Sequence, residues 1–196
     1  MEILFIRHGE SEGNKHERIQ GPNTPLSQEG RKQSRELGKK LAKEYIDVVY
    51  CSTMERAKQT AELAFGHRKI PIVELDIIKE KLDGEWEGKQ LSEINWELLT
   101  GTFETKNAPG GECLLDVQKR AKDFLKLLEN EKHSIIAVIS HGTVIRLIIG
   151  YLLGKGIEEI IMNTIVENCS VSRVKYEHGK FEVLRYDSVP RLRKWG

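Results

Sequence analysis

Four short apolar runs constrain the fold of this chain more than any other feature, because segments with helical periodicity separate them. The alternation of strand-length runs with helical segments is typical of an α/β sheet. Runs that are apolar throughout predict strands covered on both faces. The predicted strands are Ile3 to Ile6, Val48 to Cys51, Ile72 to Leu75 and Ile135 to Ile139.

The segments between these runs predict four helices. The first is expected over Ser27 to about Glu44, since serine is a favourable N-cap residue. The second is expected to follow Ser52 or Thr53. The third, Glu112 to Glu129, shows an apolar stripe at helical spacing, and the fourth, Thr143 to Leu153, is apolar nearly all round, which predicts a buried helix.

Three segments depart from this alternation. Cys169 to Tyr176 and Lys180 to Tyr186 flank His178-Gly179, a pattern that predicts a β-hairpin with a two-residue turn. Residues 89–111 predict a long loop, and because such loops in compact domains are often lids or specificity elements, we expect that role for them. The basic tail from Val189 to Gly196 is expected to be solvated, with docking on a partner subunit in a homodimer as the alternative.

Composition excludes several functional classes. The 196 residues carry 31 basic and 30 acidic side chains, a formal net charge of +1, so no whole-molecule field attracts nucleic acid or an anionic membrane. The longest apolar segment, Val144 to Leu153, is too short to span a bilayer. Three widely spaced cysteines without a C-x-x-C pair predict reduced thiols and no zinc site. We therefore expect a cytoplasmic protein with no nucleic acid or membrane partner.

Two of the predicted strands end in the same way, one running into His8-Gly9 and the other into His141-Gly142. Ligands bind at the carboxyl ends of parallel strands, so both histidines are expected at a site. Arg56 falls in the first turn of the helix after a third strand, where a cation is unfavourable unless it meets an anion. Together with Arg7, these side chains predict a compact cationic pocket, and a phosphoryl group suits its guanidinium groups.

Further motifs follow along the first 150 residues in a fixed order. They are Arg7-His8-Gly9-Glu10-Ser11 with Asn14, Leu26 to Gly30 with Gln33, Ser52 through Arg56 to Ala61, Glu80 with Gly84 to Gly88, Pro109 to Glu112, and Ser140-His141-Gly142. The set resembles the signature of the histidine phosphatase superfamily, the phosphoglycerate-mutase-like proteins, in its phosphatase branch. The resemblance implies one domain over residues 1–196, a three-layer α/β/α sandwich with a mostly parallel central sheet and a C-terminal β-hairpin.

The resemblance also implies roles for individual residues. His8 is similar to the nucleophile that takes the phosphoryl group as phosphohistidine, and Glu80 to the general acid, with Glu85 and Glu87 as weaker rivals for that role. A clamp on the phosphoryl oxygens is implied for Arg7, Arg56 and His141. Supporting contacts to the substrate are implied for Asn14, Gln20, Gly21 and Gly142.

The activity implied by these roles is hydrolysis of small phosphomonoesters, of the histidine acid-phosphatase type, without a metal or cofactor. The run from Gly84 to Gly88 resembles the phosphatase branch more than the mutases. Residues 89–111 carry few cations besides Lys89 and Lys106, which favours an apolar or mixed leaving group. A cofactor-dependent phosphoglycerate mutase and a non-catalytic module that binds a phosphorylated ligand remain as alternatives.

Overall fold

Strands form the centre of the structure, a computed structural model that describes residues 1–190. They are β1 (Glu2–Arg7), β2 (Val48–Ser52), β3 (Ile72–Leu75), β4 (Ile135–Ser140), β5 (Thr164–Ile165), β6 (Val171–Glu177), β7 (Lys180–Arg185) and β8 (Val189–Pro190). Six of them make the central sheet in the order β3-β2-β4-β1-β6-β7. The first four in that order are parallel, whereas β6 is antiparallel to β1 and to β7. The pair β5 and β8 forms a separate small sheet.

Helices cover both faces of the central sheet. They are α1 (Glu12–Lys15), α2 (Gln28–Lys40), α3 (Glu55–Phe65), α4 (Leu114–Leu128), α5 (Gly142–Leu152) and α6 (Ile157–Asn163). Short 3-10 helices lie at Asp76–Ile78, Gly84–Trp86, Leu91–Glu93 and Trp96–Leu98.

The side chains of β1 show how the layers are built, because alternate residues of a strand face opposite sides of the sheet. Ile3 and Phe5 belong to a core shared with α4, α5 and α6, whereas Leu4 and Ile6 belong to a second core shared with α2 and α3. All four of these side chains are fully buried. The three-layer α/β/α sandwich is therefore confirmed.

The four predicted strands and the C-terminal hairpin are confirmed, and the hairpin strands extend the central sheet. Coverage on both faces was wrong for β3, where Val73 and Glu74 are exposed because this strand forms the edge of the sheet. The first predicted helix ends at Lys40 instead of about Glu44, and the sequence patterns did not indicate α1 or α6.

Residues 89–111 are packed by a small apolar cluster of their own. Ile94 and Ala108 are buried together with Trp86, and the rings of Trp86 and Trp96 meet edge to face with centroids 5.6 Å apart. A bridge between Arg18 and Gln90 ties the start of this segment to the chain that precedes Gly21. Residues 89–111 are therefore held in place by contacts with Trp86 and with Arg18.

No helix within residues 1–190 is long and apolar enough to cross a membrane. The predicted basic tail, Val189 to Gly196, is described only in part. Val189–Pro190 forms β8 and pairs with β5, and residues 191–196 lie outside the described residues, so the role of the tail stays a prediction.

The close packing of α2 against α3 can be tested by a substitution at Gly38. A Cβ atom there would lie 2.5 Å from the carbonyl oxygen of Ala64 on α3, which is backbone and cannot move aside cheaply. We expect Gly38→Ala to lower the free energy of unfolding by about 1–3 kcal/mol, although alanine normally favours a helix over glycine. Urea unfolding measures this change. The exposed Arg35→Ala in the same helix should stay within about 0.5 kcal/mol, and a Gly38→Ala protein as stable as wild type would contradict the packing argument.

Candidate active site

The two histidines predicted at strand ends lie side by side. β1 and β4 pair in parallel with Arg7 opposite Ser140, so His8 and His141 leave the sheet at the same level. The His8 amide donates to the Ser140 carbonyl oxygen at 3.0 Å, and the two imidazole centroids are 5.0 Å apart. Both side chains are buried.

His8 is held as a neutral base. Its Nδ1 lies 2.7 Å from the carbonyl oxygen of Gly9, which can only accept, so Nδ1 carries the ring proton. Nε2 accepts a hydrogen bond from Arg56 Nε at 3.2 Å. Burial, followed by the charges of Arg56 and Arg7, lowers the pKa of His8 well below its ordinary value of 6.5. At neutral pH, Nε2 therefore keeps a lone pair that can attack an electrophile.

Arg56 is a cation enclosed by the protein, with only 1% of the residue exposed. Its Nη1 donates to the carbonyl oxygen of Gly21 at 3.0 Å, and its Nη2 contacts Met54 Sδ at 3.1 Å. Burial lowers the pKa of Arg56 to about 10 despite the opposing effect of Glu80, so the group is charged at neutral pH. None of its three hydrogen-bond partners, Gly21, Met54 and His8, is anionic, and a buried cation of this kind favours an anionic ligand.

Ser52, at the end of β2, orients the ring of His141. Its Oγ lies 2.8 Å from His141 Nε2 and accepts the Met54 amide at 3.2 Å. We assign the ring proton of His141 to Nδ1, because the Ser52 hydroxyl can donate to Nε2 while its oxygen accepts that amide. Burial and then the charge of Arg56 lower the pKa of His141 well below 6.5, so the ring is a neutral donor through Nδ1.

Two buried donors beside His8 lack a protein acceptor. Arg7 Nε and His141 Nδ1 have no hydrogen-bond partner within residues 1–190. Arg7 is fixed by its Nη1, which donates to the Val166 carbonyl oxygen at 2.6 Å, and its Nε would lie 3.5 Å from a Cβ atom at Gly142. Since buried polar groups are normally hydrogen-bonded, these two donors indicate a ligand that carries several acceptor oxygens.

Glu80 lies beside the cations, at the N-terminus of α5. Its Oε2 accepts the Thr143 amide at 3.2 Å, and its Oε1 accepts the Lys81 amide at 3.0 Å. These two amides therefore hold the Glu80 carboxyl group in place. Glu80 and His8 line the same cavity, so a group bound between them could be attacked by one and protonated by the other.

The cavity at this edge of the sheet measures about 390 Å³. Most of the predicted site residues line it: Arg7, His8, Gln20, Arg56, Glu80 and Gly142. His141 adjoins it through His8. Asn14 and Gly21 lie outside the lining, since Asn14 Oδ1 accepts the Ser11 amide at 3.2 Å and Gly21 holds Arg56. The rivals Glu85 and Glu87 do not line it either.

The sequence profile of the histidine phosphatase superfamily (branch 1) matches residues 3–188. The chain belongs to this superfamily. Phosphoserine phosphatase 1 of Hydrogenobacter thermophilus is 28% identical over 98% of this chain and 94% of its own length. Adenosylcobalamin/α-ribazole phosphatase of Escherichia coli is 28% identical over 86% of this chain and 87% of its own. The α-ribazole phosphatase structure from Shigella flexneri superposes with a TM-score of 0.87 at 25% identity, over 95% of this chain and 96% of that chain.

Several residues of this histidine phosphatase have roles that the sequence analysis did not assign. Ser52 orients His141, and a signal for it existed, because it ends the strand beside β4. Arg18 and Lys81 line the outer part of the cavity. No pattern indicated either one, since both lie in irregular segments whose position depends on distant parts of the chain.

The lowered pKa values of His8 and His141 predict how the stability of this histidine phosphatase depends on pH. Both rings stay neutral in the folded protein but bind protons in the unfolded chain below about pH 6.5, so stability is present above that pH and is lost as the pH falls. Each ring should remove about 1.4 kcal/mol between pH 7.5 and 5.5.

Urea unfolding at these two pH values measures the effect. We expect His8→Asn to lose about 1.4 kcal/mol less than wild type over this interval. The matched control is His178→Asn, because the His178 side chain is 91% exposed, and it should keep the wild-type dependence. An equally steep loss in His8→Asn and wild type would show that His8 is not neutral in the folded state.

Proposed function

We propose that this protein is a metal-independent phosphomonoester hydrolase that works through a phosphohistidine on His8. The supporting observation is that an unprotonated His8 Nε2 lies close to two buried donors, Arg7 Nε and His141 Nδ1, at one cavity that His8 and Arg7 line and His141 adjoins. A phosphoryl group presents an electrophilic phosphorus to the base and several oxygens to the donors. The phosphatase relatives described above support the same class of reaction.

In the first step, His8 Nε2 attacks phosphorus while the bond from phosphorus to the ester oxygen breaks. The electron pair of that bond goes to the leaving oxygen, which takes the proton of the Glu80 carboxyl group. The alcohol departs, and the phosphoryl group stays on Nε2. The hydrogen bond from His8 Nδ1 to Gly9 is retained, so the ring keeps its orientation as it gains positive charge.

In the second step, water replaces the alcohol. The water oxygen attacks phosphorus while the Glu80 carboxylate accepts a proton from that water. The bond from phosphorus to Nε2 breaks, and the electron pair of this bond returns to His8. Inorganic phosphate leaves, with His8 neutral and Glu80 protonated as at the start. The same two side chains therefore serve both steps.

The two arginines and the neutral His141 lower the barrier of both steps, because charge spreads over the phosphoryl oxygens in the transition state. Arg7, Arg56 and His141 are already oriented by hydrogen bonds to Val166, Gly21 and Ser52. Little reorganisation is then needed when the charge develops. Loss of one such donor would remove about 3–4 kcal/mol of transition-state stabilisation.

The substrates proposed are small phosphorylated metabolites in the cytoplasm, bound without a metal or cofactor. Within residues 1–190, no group of three or more His, Cys, Asp or Glu side chains is arranged to hold a metal ion. The outer cavity combines apolar side chains, Ile19, Ile165 and Val166, with charged ones, Arg18, Lys81 and Asp83, so it suits a leaving group of mixed character.

We propose that residues 89–111 influence specificity through the segment that they support. The cavity lining includes Arg18, Ile19 and Gln20, and Ile19 exchanges backbone hydrogen bonds with Gly88 and Lys89 at 2.8 and 2.9 Å. The apolar cluster around Trp86 would transmit changes in residues 89–111 to this wall.

Phosphoryl transfer to a second hydroxyl, as in a mutase, is the second candidate. Arg18 and Lys81 favour it, because they place cations beside the cavity that could hold a second anionic group of a substrate. Hydrolysis is favoured here because the run from Gly84 to Gly88 resembles the phosphatase branch more than the mutases. Hydrolysis and transfer are distinguished by an assay with a phosphoglycerate. Hydrolysis releases free phosphate, whereas transfer moves the phosphoryl group between positions of the molecule.

His8→Ala tests the nucleophile. We expect the hydrolysis of p-nitrophenyl phosphate, measured with EDTA present, to fall at least about 10³-fold, because the variant lacks the Nε2 atom that takes the phosphoryl group. Rapid acid-free quenching of wild type with labelled substrate should trap an acid-labile, base-stable phosphoenzyme that the variant lacks. The exposed His178→Ala is the control and should hydrolyse the ester at the wild-type rate. A phosphoenzyme that persists in His8→Ala would place the intermediate elsewhere.

Glu80→Gln tests the general acid. The amide keeps the shape of the side chain but cannot deliver a proton, so esters with poor leaving groups should suffer most. We expect kcat/KM to fall about 10²–10⁴-fold for β-glycerol phosphate and far less for p-nitrophenyl phosphate, whose leaving group needs little protonation. Glu85→Gln is the matched control. Equal losses on the two esters would remove Glu80 from the acid role.

A further inference from the structure

The segment that carries Glu80 has no regular structure of its own. Residues 79–83 lie between two 3-10 helices, Asp76–Ile78 and Gly84–Trp86, and belong to no strand. Their backbone amides and carbonyl groups therefore need partners from elsewhere in the chain. A general acid also has to be held within a fraction of an ångström of the leaving oxygen, so the partners of this backbone matter for the proposed reaction.

Arg120, on α4, supplies two of these partners and a third just before the segment. Its Nη1 donates to the carbonyl oxygens of Ile77 and Lys79 at 2.9 and 3.1 Å, and its Nη2 donates to the carbonyl oxygen of Glu80 at 3.4 Å. One guanidinium group thus contacts the backbone at and before the residue that carries the acid. Arg120 does not line the cavity, so it acts on the substrate only through this segment.

Glu112 holds Arg120 and contacts the same segment on its other side. Its carboxylate takes two parallel hydrogen bonds from Arg120 Nε and Nη2, both 2.8 Å long. Its Oε2 also accepts the Leu82 amide at 3.0 Å, and its own amide donates to the Leu82 carbonyl oxygen at 2.8 Å. The Arg120 and Glu112 side chains are each 18% exposed. Arg120 and Glu112 therefore hold the backbone on both sides of Glu80 by hydrogen bonds.

The charge of Glu112 is stable in this environment. Burial alone would raise the pKa of Glu112, but the hydrogen bonds from Arg120 and from the Leu82 amide outweigh it and lower that pKa below its usual range. A charged fork of this kind is stronger and more directional than neutral hydrogen bonds.

We propose that Arg120, oriented by Glu112, is the positioning residue for Glu80. This inference rests on the proposed function, because it assigns Glu80 the acid role. The pair fixes the backbone of residues 77–82, and the Thr143 amide then fixes the Glu80 carboxyl group from the opposite end. Glu112 belongs to the Pro109-Gly110-Gly111-Glu112 motif, which has no other contact with the reacting groups.

A loss of this fork should therefore affect protonation of the leaving group more than formation of the phosphohistidine. His8, Arg7 and Arg56 are held by other contacts, so the cation cluster should survive the change. A displaced acid costs most for esters whose leaving oxygen must be protonated as it departs.

The experiment compares kcat/KM for β-glycerol phosphate and p-nitrophenyl phosphate in Arg120→Met. We expect the first to fall about 10–100-fold and the second less than about threefold. Arg120→Lys keeps the charge but cannot make the two parallel bonds together with the carbonyl contacts, so it should show the same split. If Arg120→Met does not fold, Arg120→Lys and Glu112→Gln carry the test, and thermal unfolding of each variant is measured first.

Arg173→Met is the matched control. Arg173 also bridges two carboxylates, Glu2 at 2.5 Å and Glu44 at 2.6 Å, and is 29% exposed, but it lies outside the cavity. It should lose stability without changing the ratio of the two kcat/KM values.

The outcomes separate the two levels of the argument. A changed ratio in the Arg120 variants, with the ratio of Arg173→Met unchanged, supports the positioning role. Equal losses on both esters in the folded Arg120 variants, or no loss at all, overturn it. If Glu80→Gln itself shows no difference between the esters, the acid role in the proposed function fails, and the positioning role fails with it.

Discussion

The parallel pairing of β1 with β4 is the constraint on which the rest of the site depends. Their register sets Arg7 opposite Ser140, and the hydrogen bond from the His8 amide to Ser140 continues it one residue beyond the strands. A shift of one residue would turn the side chains of β1 to the other face and separate His8 from His141. The apolar cores on both faces therefore hold the register, and with it the distance between the two rings.

The site buries cations and neutral imidazoles, which costs folding free energy. Arg56 is enclosed with carbonyl and thioether partners, and Arg7 Nε and His141 Nδ1 are buried donors without an acceptor among the described residues. Such groups are unfavourable in the folded protein alone and favourable once an oxyanion is bound. The buried apolar side chains of β1 and β4 compensate for this cost through their contacts.

Irregular segments complete the site, and each is held by contacts from distant elements. The Glu80 segment is gripped by Arg120 and Glu112 and meets α5 through Thr143. The cavity segment that includes Arg18 pairs with Gln90, which lies between Trp86 and the other members of the Trp86 cluster in the sequence. Such segments can change composition without disturbing the sheet, which separates the phosphoryl chemistry at the strand ends from the recognition of the leaving group.

The sequence by itself determined the strands of an α/β sheet and the two histidines at strand ends, because apolar periodicity and the chain direction of parallel strands are local properties. The three-layer sandwich was predicted from the family resemblance. The acid role of Glu80 was predicted only from the family resemblance, since a carboxylate between two lysines is otherwise typical of a solvated surface. Only the tertiary structure shows that Ser52, on another strand, contacts His141 Nε2 and so places the ring proton. It alone also shows that Arg120 supports the backbone of Glu80. These are contacts between residues far apart in the chain, and hydrogen-bond geometry across such separations leaves no periodic trace in the sequence.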